Sequence, residues 1–270
     1  METINESIYD HPKYYDLVFG ADCAAEIQFI LQCGDLFMDR KPKRMFEPAC
    51  GTGRLLNALA KKNFKVGGLD LNPKAVEFCN RRFRRGNFPE SAFVADMCDF
   101  TVSKTPVSKT PVSKTWDIAF NTINSFRHVD SEAAAKSHLQ CMGEAIRPGG
   151  LYLLGIHLTP SDVPPSEGES WAARRGHLSI NTHMWTIDRD KKKRVEKFGI
   201  QFDVHTPTRS FRISDVLVLR SYTPAQMNRL IRASGCWEVL ETYDFGYDVD
   251  QPVEVTGATE DVIYVLRRTA

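Results

Sequence analysis

The stretch 44–60, RMFEPACGTGRLLNALA, constrains the fold of this chain more than any other. A short apolar run meets two glycines, Gly51 and Gly53, and continues at helical spacing, so it reads as strand, glycine turn and helix. Glycine at such a turn lets bare backbone approach a ligand. The alternation continues on both sides. A long helix is expected over 22–39 and a second strand over 64–71, FKVGGLDL. Residues 72–86 form a helix with Asn at the cap, Pro in its first turn and Gly at its end. Strands follow at 91–97 and 116–123. A helix over 131–150 stops at Pro-Gly-Gly, and the nearly continuous apolar run 151–158 suits a strand covered on both faces. Strands alternating with helices imply a mostly parallel, doubly wound α/β sheet.

The pattern changes after residue 158. A Pro/Ser loop leads into three alternating stretches, 177–188, 194–205 and 208–222, which read as an antiparallel β-meander. A capped helix at 223–235 and two further strands follow. The meander is therefore a late insert in one domain spanning 1–270. Its expected parts are an N-terminal helical cap (1–40), a core carrying the glycine turn (41–158), the meander (159–222), and a return to the core (223–270).

Composition narrows the function. With 35 basic and 34 acidic residues the formal net charge is +1, so no global field draws nucleic acid or an anionic membrane. The seven cysteines are scattered and odd in number, with no Cys-x-x-Cys pair, which suggests neither a metal site nor a disulfide framework. A reducing cytoplasmic setting is expected. The polar, acidic start does not read as a signal peptide, and no apolar run reaches the roughly 20 residues of a membrane span.

Two kinds of ligand turn compete. A dinucleotide site wants Gly-x-Gly-x-x-Gly, but its third position here is Leu56. A P-loop needs Gly-Lys-Ser/Thr, and Gly53 is followed by Arg54 and Leu55. The set EPACGTG, GLDL, VADM and DIAFNTINSF, in that order, is more telling. From about Tyr14 to Leu158 it resembles the class I S-adenosylmethionine-dependent methyltransferases, especially those acting on small molecules.

That resemblance implies a Rossmann-like seven-stranded sheet with its last strand antiparallel, and S-adenosyl-L-methionine as cofactor, with S-adenosyl-L-homocysteine as product. The backbone of Ala49, Cys50, Gly51 and Gly53 would lie against the methionine part, and Glu47 would position its amino group. Asp70, with Leu71 beside it, would accept both ribose hydroxyls. Asp96 and the Met97 backbone would hold the adenine, and Asn121 would offer backbone to the methionine amine. Tyr14 and Tyr15 would close over the sulfonium, a cation facing aromatic rings. Glu47, Asp70, Asp96 and Asn121 all fall at expected strand C-termini, the rim where open α/β sheets bind ligands.

Methyl transfer is an in-line displacement that needs alignment and a dry site, and a base only where the acceptor must lose a proton. His128 and His157, just after and at the ends of their strands, are the candidate bases, against a packed structural role for each. The Asn/Asp-Pro-Pro motif of base and amide methylation is absent from 121–124. The local form is closer to small-molecule enzymes whose meander covers the acceptor. Trp171, His183, Trp185 and Arg209 are expected to line that acceptor pocket, and the partner is a small-molecule amine or hydroxyl. Alternatives are an RNA or protein methyltransferase, or a cofactor-binding protein without turnover. The basic runs RRFRRG (81–86) and RDKKKR (189–194) bear on the first, but lack interleaved aromatics. The repeat VSKTPVSKTPVSKT (102–115), with Thr105 and Thr110 as Thr-Pro sites, is expected to be a loop away from the chemistry.

Overall fold

In a computed structural model, residues 1–20, 22–100, 116–159 and 168–269 are described. The repeat with Thr105 and Thr110, and most of the Pro/Ser loop, lie outside the described residues. The main sheet is built from β2 (Arg44–Pro48), β3 (Lys65–Asp70), β4 (Ala92–Val94), β5 (Trp116–Asn121), β6 (Ile146–His157), β11 (Trp237–Tyr243) and β12 (Asp261–Arg268). Its order is β11-β12-β6-β5-β2-β3-β4. The pairs among β2 to β6 are parallel, and β12 runs antiparallel to both β6 and β11. The order reverses between β2 and β5, so the crevice of an open α/β sheet falls there.

Helices cover both faces. Leu151 and Leu153 of β6 pack with Phe29 and Leu56, on the side of α2 (Ala24–Phe37), α3 (Arg54–Lys61) and α4 (Pro73–Arg85). Tyr152 and Leu154 pack the other way, with Leu139 of α5 (Glu132–Ala145) and Leu230 of α6 (Pro224–Ser234). That two-sided burial is why the run is apolar at every position. The sequence-encoded stops also act as written. Asn72 accepts the Lys74 and Ala75 amides to cap α4. Thr223 and Gln226 form a reciprocal capping box on α6, and Gly235 takes the left-handed conformation after it.

Three boundaries differ from the sequence expectation. α5 ends at Ala145, and Pro-Gly-Gly lies inside β6, where Gly149 takes φ +72° and the β5–β6 register shifts. β4 stops at Val94, because Asp96 turns the chain by accepting the Cys98 amide at 2.8 Å. The meander has four strands rather than three: β7 (Glu169–Arg175), β8 (Leu178–Asp190), β9 (Val195–His205) and β10 (Ser210–Arg220). β1 (Glu2–Asn5) adds parallel to β10, giving a second sheet ordered β1-β10-β9-β8-β7. The N-terminal residues thus contribute a strand as well as helix α1 (Pro12–Phe19).

The N-terminal segment ties the two sheets together. The Ile8 amide donates to Asp215 of β10 at 2.9 Å, and Asn72 at the cap of α4 donates to Asp10 at 2.7 Å. Asp16 of α1 is 1% exposed, and its carboxylate accepts from Thr52 in the glycine turn (3.0 Å), Arg82 of α4 (2.5 Å) and Arg175 of β7 (3.2 Å). A carboxylate this buried is tolerable only because three donors compensate it.

Candidate active site

A cavity of about 1200 Å³ opens above the switch point. Its floor comes from the C-terminal rim of the main sheet, one wall from the N-terminal segment, and its roof from the inner face of the second sheet. The glycine turn supplies part of the floor. Ala49, Gly51 and Gly53 all have positive φ, at 54°, 52° and 70°. The two glycines are there for different reasons. A Cβ on Gly53 would stand 2.2 Å from Cys79 Sγ, so close packing of α3 on α4 excludes it. A Cβ on Gly51 would meet nothing within 4 Å, so the backbone there faces open cavity.

Asp70 fixes this turn. Its Oδ2 accepts the Gly51 amide and its Oδ1 the Asn72 amide, each at 2.8 Å. Burial raises its pKa, and the two amides oppose that. Leu71, Asp96, Met97 and Cys98 continue the rim, with Leu71 71% exposed toward the cavity. Glu47 lies behind the turn and does not line the cavity. Burial holds its carboxyl well above the usual range, the nearby Arg54 guanidinium opposing, and Oε2 has no partner. Arg54 is itself held by Glu26 through both nitrogens. Asn121 donates to the Pro48 carbonyl at 3.0 Å, and its Oδ1 is unpartnered and buried.

The expected tyrosine pair is split, since adjacent residues on a helix face different ways. Tyr15 lines the cavity. Tyr14 points away, its ring edge-on to Phe211 at 5.8 Å. Tyr9, which sequence reasoning missed, takes the second place beside Tyr15 at 5.3 Å, and its hydroxyl bonds His128 Nε2 at 2.9 Å. Burial lowers the His128 pKa, and the Arg127 charge beside it acts in the same direction. His157 also reaches the cavity, but its Nδ1 is paired with Asp261 and its ring packs on Phe245 at 5.2 Å. Those contacts join β6 to β12 through Nδ1.

Of the four expected acceptor residues Trp185 borders the cavity, and Trp171, His183 and Arg209 do not. The ring of Trp185 covers Gly199, its cross-strand partner, where an added Cβ would sit 2.3 Å from the indole. Phe198 and Ile200, on either side of Gly199, line the cavity, and Trp185 borders it too, with its ring set over Gly199 by strand alternation. His183 stacks on Trp185 at 5.1 Å without lining the cavity. Trp171 packs edge-on to Phe19 without lining the cavity, and Arg209 lies over Phe211 at the β9–β10 turn. Beside Trp185 the roof holds Met184, Phe198, Ile200, Leu217 and Leu219. At its end Glu196, 2% exposed, is paired with both Arg127 and Arg189, and Arg127 also donates to the Arg220 carbonyl at 2.8 Å.

Residues 46–150 match the family model described as a methyltransferase domain. The chain carries a methyltransferase domain. Its fold is that of S-adenosylmethionine-dependent methyltransferases. The methyltransferase is 22% identical over 236 residues to a dTDP-3-amino-3,4,6-trideoxy-α-D-glucopyranose N,N-dimethyltransferase of Streptomyces venezuelae, covering 84% of this chain and 90% of the relative. Among solved structures it resembles DesVI of Streptomyces venezuelae, with TM-score 0.75 and 18% identity over 96% of this chain and 98% of that one. It also resembles CalS10, an amino pentose methyltransferase from Micromonospora echinaspora solved with its S-adenosylmethionine, at TM-score 0.71 and 17% identity over 100% of both chains. The residues fit that cofactor's chemistry. Gly51 leaves open space at its backbone, the Asp70 carboxylate is fixed beside it by the Gly51 and Asn72 amides, and the buried Glu47 and Asn121 oxygens lack partners.

Proposed function

We propose that this methyltransferase acts on the amino group of a small molecule held beneath the second sheet. The cavity carries the reading: at about 1200 Å³ it exceeds the roughly 300–1,000 Å³ of a usual single-ligand pocket, leaving room for cofactor and acceptor together. In this reading Asp70 accepts the ribose hydroxyls, the backbone of Ala49, Cys50, Gly51 and Gly53 carries the methionine part, and Glu47 and Asn121 lie near its amine. Leu71, Asp96 and Met97 frame the adenine, and Tyr15 with Tyr9 shields the sulfonium. When bound, the cofactor supplies an electrophilic methyl carbon.

The chain's own groups orient the acceptor, exclude water and take a proton. Phe198, Ile200, Leu217 and Met184 dry the acceptor half of the cavity. The proton released from the acceptor nitrogen passes to the Tyr9 hydroxyl oxygen as that hydroxyl gives its own proton to His128 Nε2, to which it is hydrogen-bonded. A histidine whose basicity burial has lowered is neutral near pH 7, and suits an ammonium proton better than a hydroxyl proton. The relative named for amino-sugar N,N-dimethylation supports the same class.

The RNA reading draws little support from the basic runs. Arg82 is bound to buried Asp16, and Arg84 to Glu77 and Glu90. Arg189 pairs with Glu196, Lys193 with Asp190, and Arg194 with Glu132. The test is a panel of amines, amino sugars and their hydroxyl analogues incubated with cofactor and read by mass. Gain of one or two methyl groups on amines alone supports the reading, and transfer to hydroxyl analogues or to RNA instead refutes it.

A further inference from the structure

A second cavity, of about 720 Å³, lies at the β11 edge of the main sheet, between α6 and the stretch 252–255. It shares no lining residue with the active-site cavity. Its walls are mostly apolar, with Ile231 of α6, Trp237 and Val239 of β11, and Val253 and Val255. Internal bonds hold these walls without any occupant. The Val253 amide donates to the Thr242 carbonyl at 2.8 Å, and the Thr242 hydroxyl donates to the Val253 carbonyl at 2.6 Å. The Trp237 indole N–H donates to the Leu139 carbonyl at 3.0 Å, which fixes its ring. One polar group in the lining is left unsatisfied. Tyr264 of β12 is 1% exposed and borders the cavity, and its hydroxyl has no hydrogen-bond partner among the described residues. Burial pushes its pKa up to about 12, so the hydroxyl stays protonated and can both donate and accept. A buried hydroxyl left unpaired has lost the hydrogen bonds that water gave it, and an occupant that restores one recovers that loss. Arg232, Glu241 and Glu254 border the cavity too, so both signs of charge are present and the lining singles out neither an anion nor a cation.

We infer that this cavity is a second ligand site, and that it takes a small, flat, uncharged molecule with one hydroxyl or carbonyl group at its inner end. The body of such a ligand lies against Trp237, Ile231 and the valines, where loss of apolar surface from water drives entry. The fixed Trp237 ring favours an aromatic body, which it meets edge-on or in an offset stack. The ligand's polar group meets the Tyr264 hydroxyl, and the rest of its surface needs no partner. A volume within the roughly 300–1,000 Å³ of ordinary ligand pockets suits one such molecule. A charged group carried to the inner end would lose its water with only a neutral hydroxyl in return. The site is independent of the methyl acceptor, because it belongs to the opposite end of β11 and β12 from no part of the active-site lining.

The probes para-fluorophenol and fluorobenzene differ by one hydroxyl, and fluorine NMR titration of both tests the inference. S-adenosylhomocysteine is held at saturation throughout, so that the active-site cavity is occupied. The wild type is expected to bind para-fluorophenol in the millimolar range usual for so few atoms. It should prefer it over fluorobenzene by about two- to tenfold, the worth of one hydrogen bond. Tyr264→Phe removes only the hydroxyl and is expected to bind both probes equally. Val239→Trp sets an indole over the cavity from a position already 43% exposed, and is expected to weaken both probes by roughly tenfold or more. Both variants should keep wild-type affinity for S-adenosylhomocysteine, which also shows that they fold. The inference is overturned by a wild type that binds neither probe, by a hydroxyl preference that survives Tyr264→Phe, or by titrations that Val239→Trp leaves unchanged.

Discussion

Gly51 and Gly53 both have positive φ, yet the structure assigns them different duties, and alanine at each separates the two. In Gly53→Ala, a left-handed residue with a Cβ costs about 1–2 kcal/mol. The Cβ also falls 2.2 Å from Cys79 Sγ, and overpacking of that kind costs about 1–3 kcal/mol more. The sum is a loss of about 2–5 kcal/mol in urea unfolding. Removing the sulfur relieves the second part alone, since the remaining Cys79 Cβ would be 3.3 Å away. A double-mutant cycle of Gly53→Ala with Cys79→Ala is therefore expected to return a favourable coupling of about 1–3 kcal/mol. Gly51→Ala meets nothing within 4 Å and costs only the conformational part, about 1–2 kcal/mol. Its methyl group, however, projects into the space assigned to the cofactor, so calorimetric affinity for S-adenosylhomocysteine should fall at least tenfold, roughly 1.4 kcal/mol. If Gly51→Ala bound as tightly as the wild type, or the cycle showed no coupling, the account of the turn would be wrong.

Two further predictions concern histidines. His138 is fully buried between the Met97 carbonyl and the Tyr152 hydroxyl, and burial lowers its pKa from 6.5 to about 4. The folded state resists protonation where the unfolded state accepts it, so stability is lost as pH falls from about 6.5 to 4. At 1.36 kcal/mol per unit this is roughly 3 kcal/mol, to be read as a steep pH dependence of the urea midpoint that His138→Gln flattens. For His128, also lowered, kcat/KM should fall on the acid side with a midpoint below 6.5, and His128→Gln should remove that limb; an unchanged acid limb would dismiss it as the base.

What was legible in the sequence follows from how locally each feature is encoded. The order of strands and helices is written in short periodic runs and in caps such as Asn72 and Thr223, each readable within a few residues. The rim around Asp70 is equally local, since it follows one strand and precedes one cap. The roof of the cavity is not. Alternation in β8 separates Met184 from His183 and Trp185, but both sets contain bulky side chains, so the pattern gives the period without saying which face is covered. The burial of Glu196 against Arg127 depends on residues 69 apart in the chain, and no window reveals that two charges will cancel. Tyr9 was missed for a related reason: only the hydrogen bond to His128, 119 residues on, distinguishes it from Tyr14.

The central claim is that the Asp70 carboxylate beside the open Gly51 backbone holds the cofactor. Calorimetric titration of S-adenosylhomocysteine into the wild type and into Asp70→Asn, with NAD as control ligand, addresses it most directly. The account predicts tight binding to the wild type, none for NAD, and a loss of roughly ten- to a hundredfold in Asp70→Asn, the worth of a charge-assisted hydrogen bond. Equal affinity for wild type and Asp70→Asn, or a preference for NAD, would contradict it.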